Sequence, residues 1–583
     1  MYTKAFGKIP ACLVAAIITL NTASSLPSVL ALPADAVPVE GVRYEFEDGT
    51  QNNAEIVTDY NGTSFEGVPI DLSGASGVFL KDKGSVSVTV QIEEAGLYEM
   101  ILCYAEPFDK IKKPQYLNIN GVNQGIINFE YSSEWREYSA SMINLNKGPN
   151  VIEFECKTGY TLFDYLILKH ADESKVNLSV KNQLINPKAT NEAKSLMSYL
   201  VDIYGTNILS GQQEQPGGHE WGDTEAEFEY ISKLTGKLPA IRGFDFMNYR
   251  GNELEIEDGS AERLIEWYNK KGGIPVLCWS WFSPGDIGKL GEASYFSDMT
   301  TFSISEALTD GTEENAALLA DIEFMAGKLK KIQDAGVPVI FRPFREAEES
   351  WFWWGKEGPG PCIELYKLLY DKFTHEYNIN NLIWEWTSYD YETSAEWYPG
   401  NNYVDIIGYI KYNSKNDQPN GSAISSTFYN LVRLSNGEKM IAMSENDTIP
   451  MVDSVKDELA AWLYFCTWHG WWIRLETANP VEWIKEMYTS EYCITLDELP
   501  ELKNYKSTTH SGDSVLYGDI NLDGLVTGSD VIPFIYHFLG KELTGQALLN
   551  ADVLVNGELE VTDLATLKQY CLGDKVKLGT KLL

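Results

Sequence analysis

Two glutamates close short apolar runs of the kind that form buried strands. Glu346 ends VIFRPFRE and is followed by SWFWWG, and Glu445 ends KMIAMSE. A carboxylate beside a packed apolar core loses hydration, so its position there needs a reason. Two such groups meeting in one groove can cleave an acetal. One stays protonated because it is buried, here beside Trp351 and Trp353, and gives its proton to the leaving oxygen; the other acts on carbon. Arg342 and Arg345 lie close to Glu346 in the sequence, so a structural ion pair is the competing reading. An arginine next to Glu346 should also lower its pKa, unless the guanidinium is turned away.

The elements that must position these groups can be read from hydrophobic patterning. Between residues 190 and 498, eight buried-strand runs (TNILSGQQ, LPAIRGFDFM, GIPVLCWSWF, VPVIFRPFRE, NLIWEWTSY, VDIIGYIKY, KMIAMSEND and FCTWHGWWI) alternate with amphipathic segments such as NAALLADIEFMAGKLKKIQDAG. Eight strand–helix units predict a (β/α)8 TIM barrel, whose active site lies at the C-terminal ends of its strands. Glu346 and Glu445 then sit on the fourth and seventh strands. A doubly wound sheet is the alternative, but SGQQEQPGG is a poor phosphate turn. Residues 40–170 instead alternate apolar and polar over short runs between turns, the pattern of a β-sandwich. Polar connectors follow at 171–190 and 501–514. Residues 515–577 hold two related segments, YGDINLDGLVTGSDVIPFIYHFLG and NADVLVNGELEVTDLATLKQYCLG, an internal duplication. The fold class is therefore multidomain: a β-sandwich, then a (β/α)8 barrel, then a small α-helical calcium-binding unit.

Three acidic groupings suit calcium, which takes hard oxygen ligands. Alternation places Glu45 and Glu47 on one face of a strand, with Asp164 on a possible partner strand; solvated edge charge is the competing reading. Asp519, Asn521, Asp523, Gly524 and Asp530 occupy positions 1, 3, 5, 6 and 12 of a calcium loop. Asp552, Asn556, Gly557, Glu560 and Asp563 repeat the register, but Leu554 stands at the third position and cannot ligate, so this site should be weaker.

The whole chain has 583 residues, enough for about three to five domains. Its net charge of −38 argues against nucleic acid and anionic membranes as partners. Aromatic residues make up 12% of the chain, with 16 Trp and 33 Tyr, and suit stacking on flat neutral rings as well as core packing. Residues 1–36 read as a secretory signal peptide: Lys4 and Lys8 precede an apolar run from Ile9 to Leu20 that is too short to span a membrane. Most cysteines after Cys12 fall in apolar runs. One Cys103–Cys156 disulfide is compatible with the sequence; a disulfide framework or zinc site is not expected.

The motif FRPFREAEESWFWWG resembles the acid/base motif of glycoside hydrolase family 26, a retaining β-mannanase family. The resemblance continues through GQQEQ, LPAIRGFDF, GIPVLCWSW, IIGYIKY, MIAMSENDTIP and YFCTWHGWWI. It implies Glu346 as acid/base, Glu445 as nucleophile, Tyr412 steering the nucleophile, Trp468 as a sugar platform, and Trp351, Trp281 and Arg345 against substrate. Arg345 and Ser280 replace histidines of the family pattern, and Ile410 replaces an acidic residue. YEFEDG, LNINGV, GPNVIEF and FDYLIL resemble a family 35 carbohydrate-binding module, which implies calcium at Glu45, Glu47 and Asp164 and sugar contacts at Trp135 and Tyr160. The duplicated loops resemble a type I dockerin, which implies calcium, a cohesin partner on a cellulosome scaffold, and specificity read at Gly528, Ser529, Val561 and Thr562. Together these resemblances imply a secreted retaining endo-β-1,4-mannanase acting on plant cell-wall polysaccharide without a catalytic cofactor. The alternatives are the same chemistry on β-glucan or xylan, and a non-catalytic, scaffold-docked binding protein.

Overall fold

The computed structural model describes residues 41–58, 76–108, 110–171, 180–216, 222–249, 257–284, 295–413, 418–506, 517–521, 526–541, 543, 546–554, 559–572, 576 and 578. The expected signal segment lies outside them, as do Asp523, Gly524, Asn556 and Gly557. Among the described residues no helix is long and apolar enough to cross a membrane.

The N-terminal region is all β: β1 (Val42–Glu45), β2 (Thr50–Thr58), β3 (Ser76–Ile92), β4 (Gly96–Glu106), β5 (Lys113–Ile119), β6 (Val122–Phe129), β7 (Ser132–Leu145), β8 (Gly148–Cys156) and β9 (Thr161–His170). Their pairing is antiparallel in the order β6-β5-β8-β3-β9-β4-β7, with β1 on β9 and β2 on β3. This is one continuous hydrogen-bonded sheet rather than two separate ones. The long β3 makes it so: residues 78–80 pair with β9 and residues 85–92 with β8. Between these stretches Lys83 takes a positive φ of 60°. The inward residues of both halves, among them Val78, Val88, Met100, Leu117, Phe129, Phe154 and Phe163, pack into one cluster. The period-2 alternation seen in the sequence is the imprint of that cluster.

The Cys103–Cys156 bridge that the sequence permits is absent, and every described cysteine is a free thiol. β3 and β9 separate β4 from β8 in the sheet. The Cys103 thiol faces the Asp164 carboxylate at 3.9 Å, and that of Cys156 donates to the Gly159 carbonyl at 3.3 Å.

Eight parallel strands close the barrel: β11 (Gly211–Gln213), β12 (Ile241–Asp245), β13 (Ile274–Cys278), β14 (Val339–Arg342), β15 (Leu382–Ser388), β16 (Ile406–Lys411), β17 (Met440–Asn446) and β18 (Phe465–Thr467). Below them β10 (Ile208–Leu209) pairs in parallel with β19 (Cys493–Ile494). All residues of the eight barrel strands are buried, which explains why most of them read as apolar runs rather than as alternating ones. Helices such as Asn191–Ile203 and Glu313–Asp334 cover the outside; the side chain of Thr190 caps the first, and that of Thr312 the second. The barrel interior is partly polar. Gly408 is required there, because a Cβ would stand 1.9 Å from Ser444 Oγ and 2.3 Å from Glu385 Oε1.

The C-terminal region has helices Val531–Phe538, Gln546–Ala551 and Val561–Cys571 around a small core of Ile520, Phe534, Ala551 and Leu567. Its two loops are equivalent. Asp530 accepts from the backbone N–H of Asn521 at 3.1 Å and Thr527 at 2.8 Å. Asp563 accepts from the corresponding Leu554 and Glu560, each at 3.0 Å.

Candidate active site

Glu346 follows β14, and Glu445 lies within β17 near its C-terminal end, so both carboxylates reach the same end of the barrel. A hydrogen-bond donor faces each of their four oxygens. Tyr389, just beyond β15, donates to Glu346 Oε1 at 3.1 Å, and the Trp351 indole donates to Oε2 at 3.3 Å. Tyr412, just beyond β16, donates to Glu445 Oε1 at 2.8 Å, and Arg342 donates to Oε2 at 3.1 Å. The Arg345 guanidinium stands 3.7 Å from that same Oε2.

The two glutamates differ in environment. Glu445 is buried between two guanidinium groups, those of Arg342 and Arg345. Glu346 is half-buried. Burial pushes its pKa up, and the negative field of Glu445 adds to the rise. Arg345 and the donors Tyr389 and Trp351 act the other way without cancelling it. Arg345 does lower this pKa, as its place beside the acid implies, but burial outweighs it. The guanidinium also faces Glu445 and lies over the Phe352 ring at 5.1 Å and the Trp468 ring at 4.9 Å.

Glu346 also carries backbone strain, with φ 55° and ψ 31°. The left-handed region costs a non-glycine residue roughly 1–2 kcal/mol. Such positions cluster where a side chain must be aimed. Ser350 repeats the conformation at φ 60°, and between them the turn 347–349 reverses the chain to bring Trp351 back over the carboxylate.

Two of the positions that depart from the family pattern, Ser280 and Arg345, both act on Asp245. Ser280 is buried, and it donates to Asp245 through its backbone N–H at 2.8 Å and its hydroxyl at 2.6 Å. Asp245 is also fully buried, with its pKa raised by burial and lowered in part by Arg345. The Arg345 cation is thus set against three acids, Glu445, Glu346 and Asp245. Ile410 is buried in β16, opposite Glu445 in register.

The other expected contacts divide. Trp351 is 45% exposed beside Glu346, and Trp468 is half-buried just beyond β18, its backbone N–H donating to the Asn446 carbonyl at 2.9 Å. Trp281 does not line the groove. It is 2% exposed, stacked on Trp279 at 4.1 Å, with its indole N–H on Asp321 at 2.9 Å, so it buttresses the wall from within. Sequence reasoning missed Tyr389, and it set Arg342 against Glu346, whereas Arg342 pairs with Glu445. Both lie at strand ends, so the rule that found Glu346 and Glu445 could have found them. His469, beside Trp468, has its pKa pushed down to about 4 by burial and stays neutral.

On the sandwich, Glu45, Glu47 and Asp164 offer carboxylate oxygens within 4.8 Å of one another. Arg43 pairs with Glu45 at 2.6 Å, and Ser76 donates to Glu47 Oε1 at 2.7 Å. Among the described residues, the buried Glu47 Oε2 has no hydrogen-bond partner. Trp135 packs half-buried with Phe79, Leu162 and Phe108. Tyr160 is 42% exposed and packs against Phe79 and Phe108.

Residues 185–498, more than half the chain, match the sequence profile of Glycosyl hydrolase family 26, and residues 517–572 match that of the Dockerin type I domain. A mannan endo-1,4-beta-mannosidase of Thermothelomyces thermophilus is 33% identical over 81% of this chain and 93% of its own length. A ruminal GH26 endo-beta-1,4-mannanase superposes with a TM-score of 0.58 at 39% identity, covering 80% of this chain and 99% of that one. The Podospora anserina GH26-CBM35 beta-(1,4)-mannanase superposes with a TM-score of 0.52 at 29% identity, covering 80% and 100%.

Proposed function

The chain belongs to glycosyl hydrolase family 26, and from that premise we propose that it is a secreted, scaffold-docked, retaining endo-β-1,4-mannanase acting on mannan and galactomannan. One observation carries the chemistry: at one end of the barrel, each of four carboxylate oxygens meets a donor, with two guanidinium groups beside Glu445 and a half-buried site for Glu346. The names of the relatives support the sugar.

In the proposed reaction Glu445 attacks the anomeric carbon while Glu346 protonates the departing glycosidic oxygen. Glu346 then removes a proton from water, which attacks the glycosyl-enzyme and frees Glu445. Tyr412 and Arg342 hold Glu445 at the start and take back its charge at the end. As negative charge leaves Glu445, its raising effect on Glu346 fades, so the pKa of Glu346 falls and its carboxylate form, the one that can take a proton from water, is favoured. Trp351 and Trp468 offer faces for sugar rings, and Arg345 bounds the same groove. Product sizing on mannan, galactomannan, β-glucan and xylan tests the proposal. Short manno-oligosaccharides are expected, and release confined to β-glucan or xylan would move the substrate to the second reading, which the Arg345–Asp245–Ser280 network favours.

The sandwich (40–170) is read as a carbohydrate-binding module beside the catalytic domain (190–498). Glu45, Glu47 and Asp164 fit a calcium ion, since they pool hard oxygens around one buried oxygen without a partner. Tyr160 is its best-placed sugar contact. In the dockerin (515–577), Asp519, Asn521, Asp523 and Asp530 fit calcium in the first loop, and Asp552, Asn556 and Asp563 in the second, which Leu554 weakens. Bound calcium would fix the loops that carry the helices. Exposed Ile532, Tyr536, Val561 and Leu572 give these helices an apolar surface suited to a cohesin.

A further inference from the structure

The sandwich does more than lie beside the barrel. From the segment before β5, Lys112 reaches the turn that carries the proposed acid. Its ammonium donates to Glu349 Oε1 at 3.1 Å and lies 3.3 Å from the centre of the Tyr391 ring. The Tyr391 hydroxyl donates to the same oxygen of Glu349. The Tyr391 ring stacks on Tyr389 with centroids 4.9 Å apart and planes 4° from parallel, and Tyr389 donates to Glu346. Glu348, in the same turn, accepts from the Tyr389 backbone N–H at 2.9 Å. A second bridge reinforces the junction: Tyr104 of β4 donates to Glu392 at 2.8 Å, and Arg136 of β7 pairs with that carboxylate.

The charges explain why a cation from another domain is needed. Glu348, Glu349, Asp390 and Glu392 crowd this rim of the barrel, and Glu130 adds to them from the sandwich. Burial raises the pKa of Glu348, Asp390 and Glu130, and Lys112 offsets part of that rise. An exposed ion pair is worth little, but this lysine is clamped between a carboxylate and a ring, and half-buried.

We propose that Lys112 of the sandwich is a positioning residue of the catalytic site, holding the Glu349–Tyr391 pair that backs Tyr389 against Glu346. The inference rests on reading Glu346 as the acid/base. Glu346 is also faced by Arg345 from its own turn, Glu445 from β17, Tyr412 beyond β16 and the Trp351 indole. Tyr389 is the donor that Lys112 can reach through one stack.

The test uses the full chain. Lys112→Met, Lys112→Arg and Tyr389→Phe are compared with wild type for kcat, KM and the pH profile on a soluble galactomannan, alongside thermal unfolding. For Lys112→Met we expect kcat to fall about tenfold with KM little changed, since the lysine orients a catalytic group. The alkaline limb should move up by several tenths of a pH unit, because Glu346 loses a donor that favours its charged form. Tyr389→Phe should show the full shift, and Lys112→Arg should restore most of the rate. Wild-type kcat and limb in Lys112→Met, even with a lowered Tm, would reduce the lysine to interface cement and overturn the proposal. A crystal structure of Lys112→Met decides independently of activity: loss of the Tyr389–Glu346 contact supports the proposal, and its retention overturns it. A wild type that releases no sugar from any glycan would instead defeat the hydrolase reading.

Discussion

At the barrel mouth, Glu346 and Glu445 are surrounded by donors: a phenol and an indole on one, a phenol and a guanidinium on the other. On the sandwich, Glu45, Glu47 and Asp164 bring carboxylate oxygens within 4.8 Å of one another, yet a buried oxygen of Glu47 has no partner among the described residues. The residue types are the same and the chemistry differs. A carboxylate whose oxygens are already matched has its charge tuned by the protein, and it can trade protons or attack carbon. Carboxylates pooled around an unmatched oxygen repel one another until a cation joins them. The dockerin loops fall between these cases, since Asp530 and Asp563 occupy backbone N–H groups while other acids remain for an ion.

The largest expected effect that tests this contrast is at Glu445. Glu445→Ala should cut turnover by at least about 10⁴-fold, because no second carboxylate can replace the nucleophile. The calcium-dependent unfolding of the sandwich should be unchanged in that variant, and a calcium shift there would blur the distinction drawn above.

Glu346→Gln should cost roughly 10²–10⁴-fold on substrates with poor leaving groups and remove the alkaline limb of the kcat/KM profile. The sign follows from burial. Glu346 titrates above the ordinary carboxylate range, so the wild-type acid stays protonated to a higher pH, and activity falls as pH rises through that raised value. Arg345→Met removes a cation that lowers this pKa, so the limb should move to still higher pH while kcat drops.

Calcium removal comes next. In a holoprotein titrated with chelator, the dockerin and sandwich transitions should fall by roughly 5–15 °C while the barrel transition and kcat hold. Glu47→Gln should lose the sandwich shift alone, as calorimetry with and without calcium would show. The smallest effect is expected at Trp351→Ala. It removes one weak donor and a half-exposed ring, and kcat/KM on oligosaccharides should fall about tenfold.

How legible the site was depends on how far each contact reaches. Most barrel strands can be read because each is buried on both faces and appears as a largely apolar run, whereas β11 is Gly-Gln-Gln. Glu346 and Glu445 can be read because they interrupt those runs at their ends. Trp281 is misread because strand β13 ends at Cys278; beyond it alternation no longer says which indole faces the groove, and Asp321, from a distant helix, decides. The left-handed turn at Glu346 carries no glycine or asparagine to announce it. The direction of Arg345 depends on Asp245 and Glu445, residues from two other strands. Lys112 lies in another domain, and sequence spacing does not reveal that it meets Glu349.

The central claim is that Glu445 forms a covalent bond to the sugar while Glu346 handles the proton. Incubating Glu346→Ala with a 2-fluoro-manno-oligosaccharide bearing a good leaving group, followed by peptide mass mapping, tests it directly. The account predicts a glycosyl adduct on the peptide containing Glu445 and on no other carboxylate. An adduct on a different acid, or rapid turnover to an inverted product with no adduct, would contradict it.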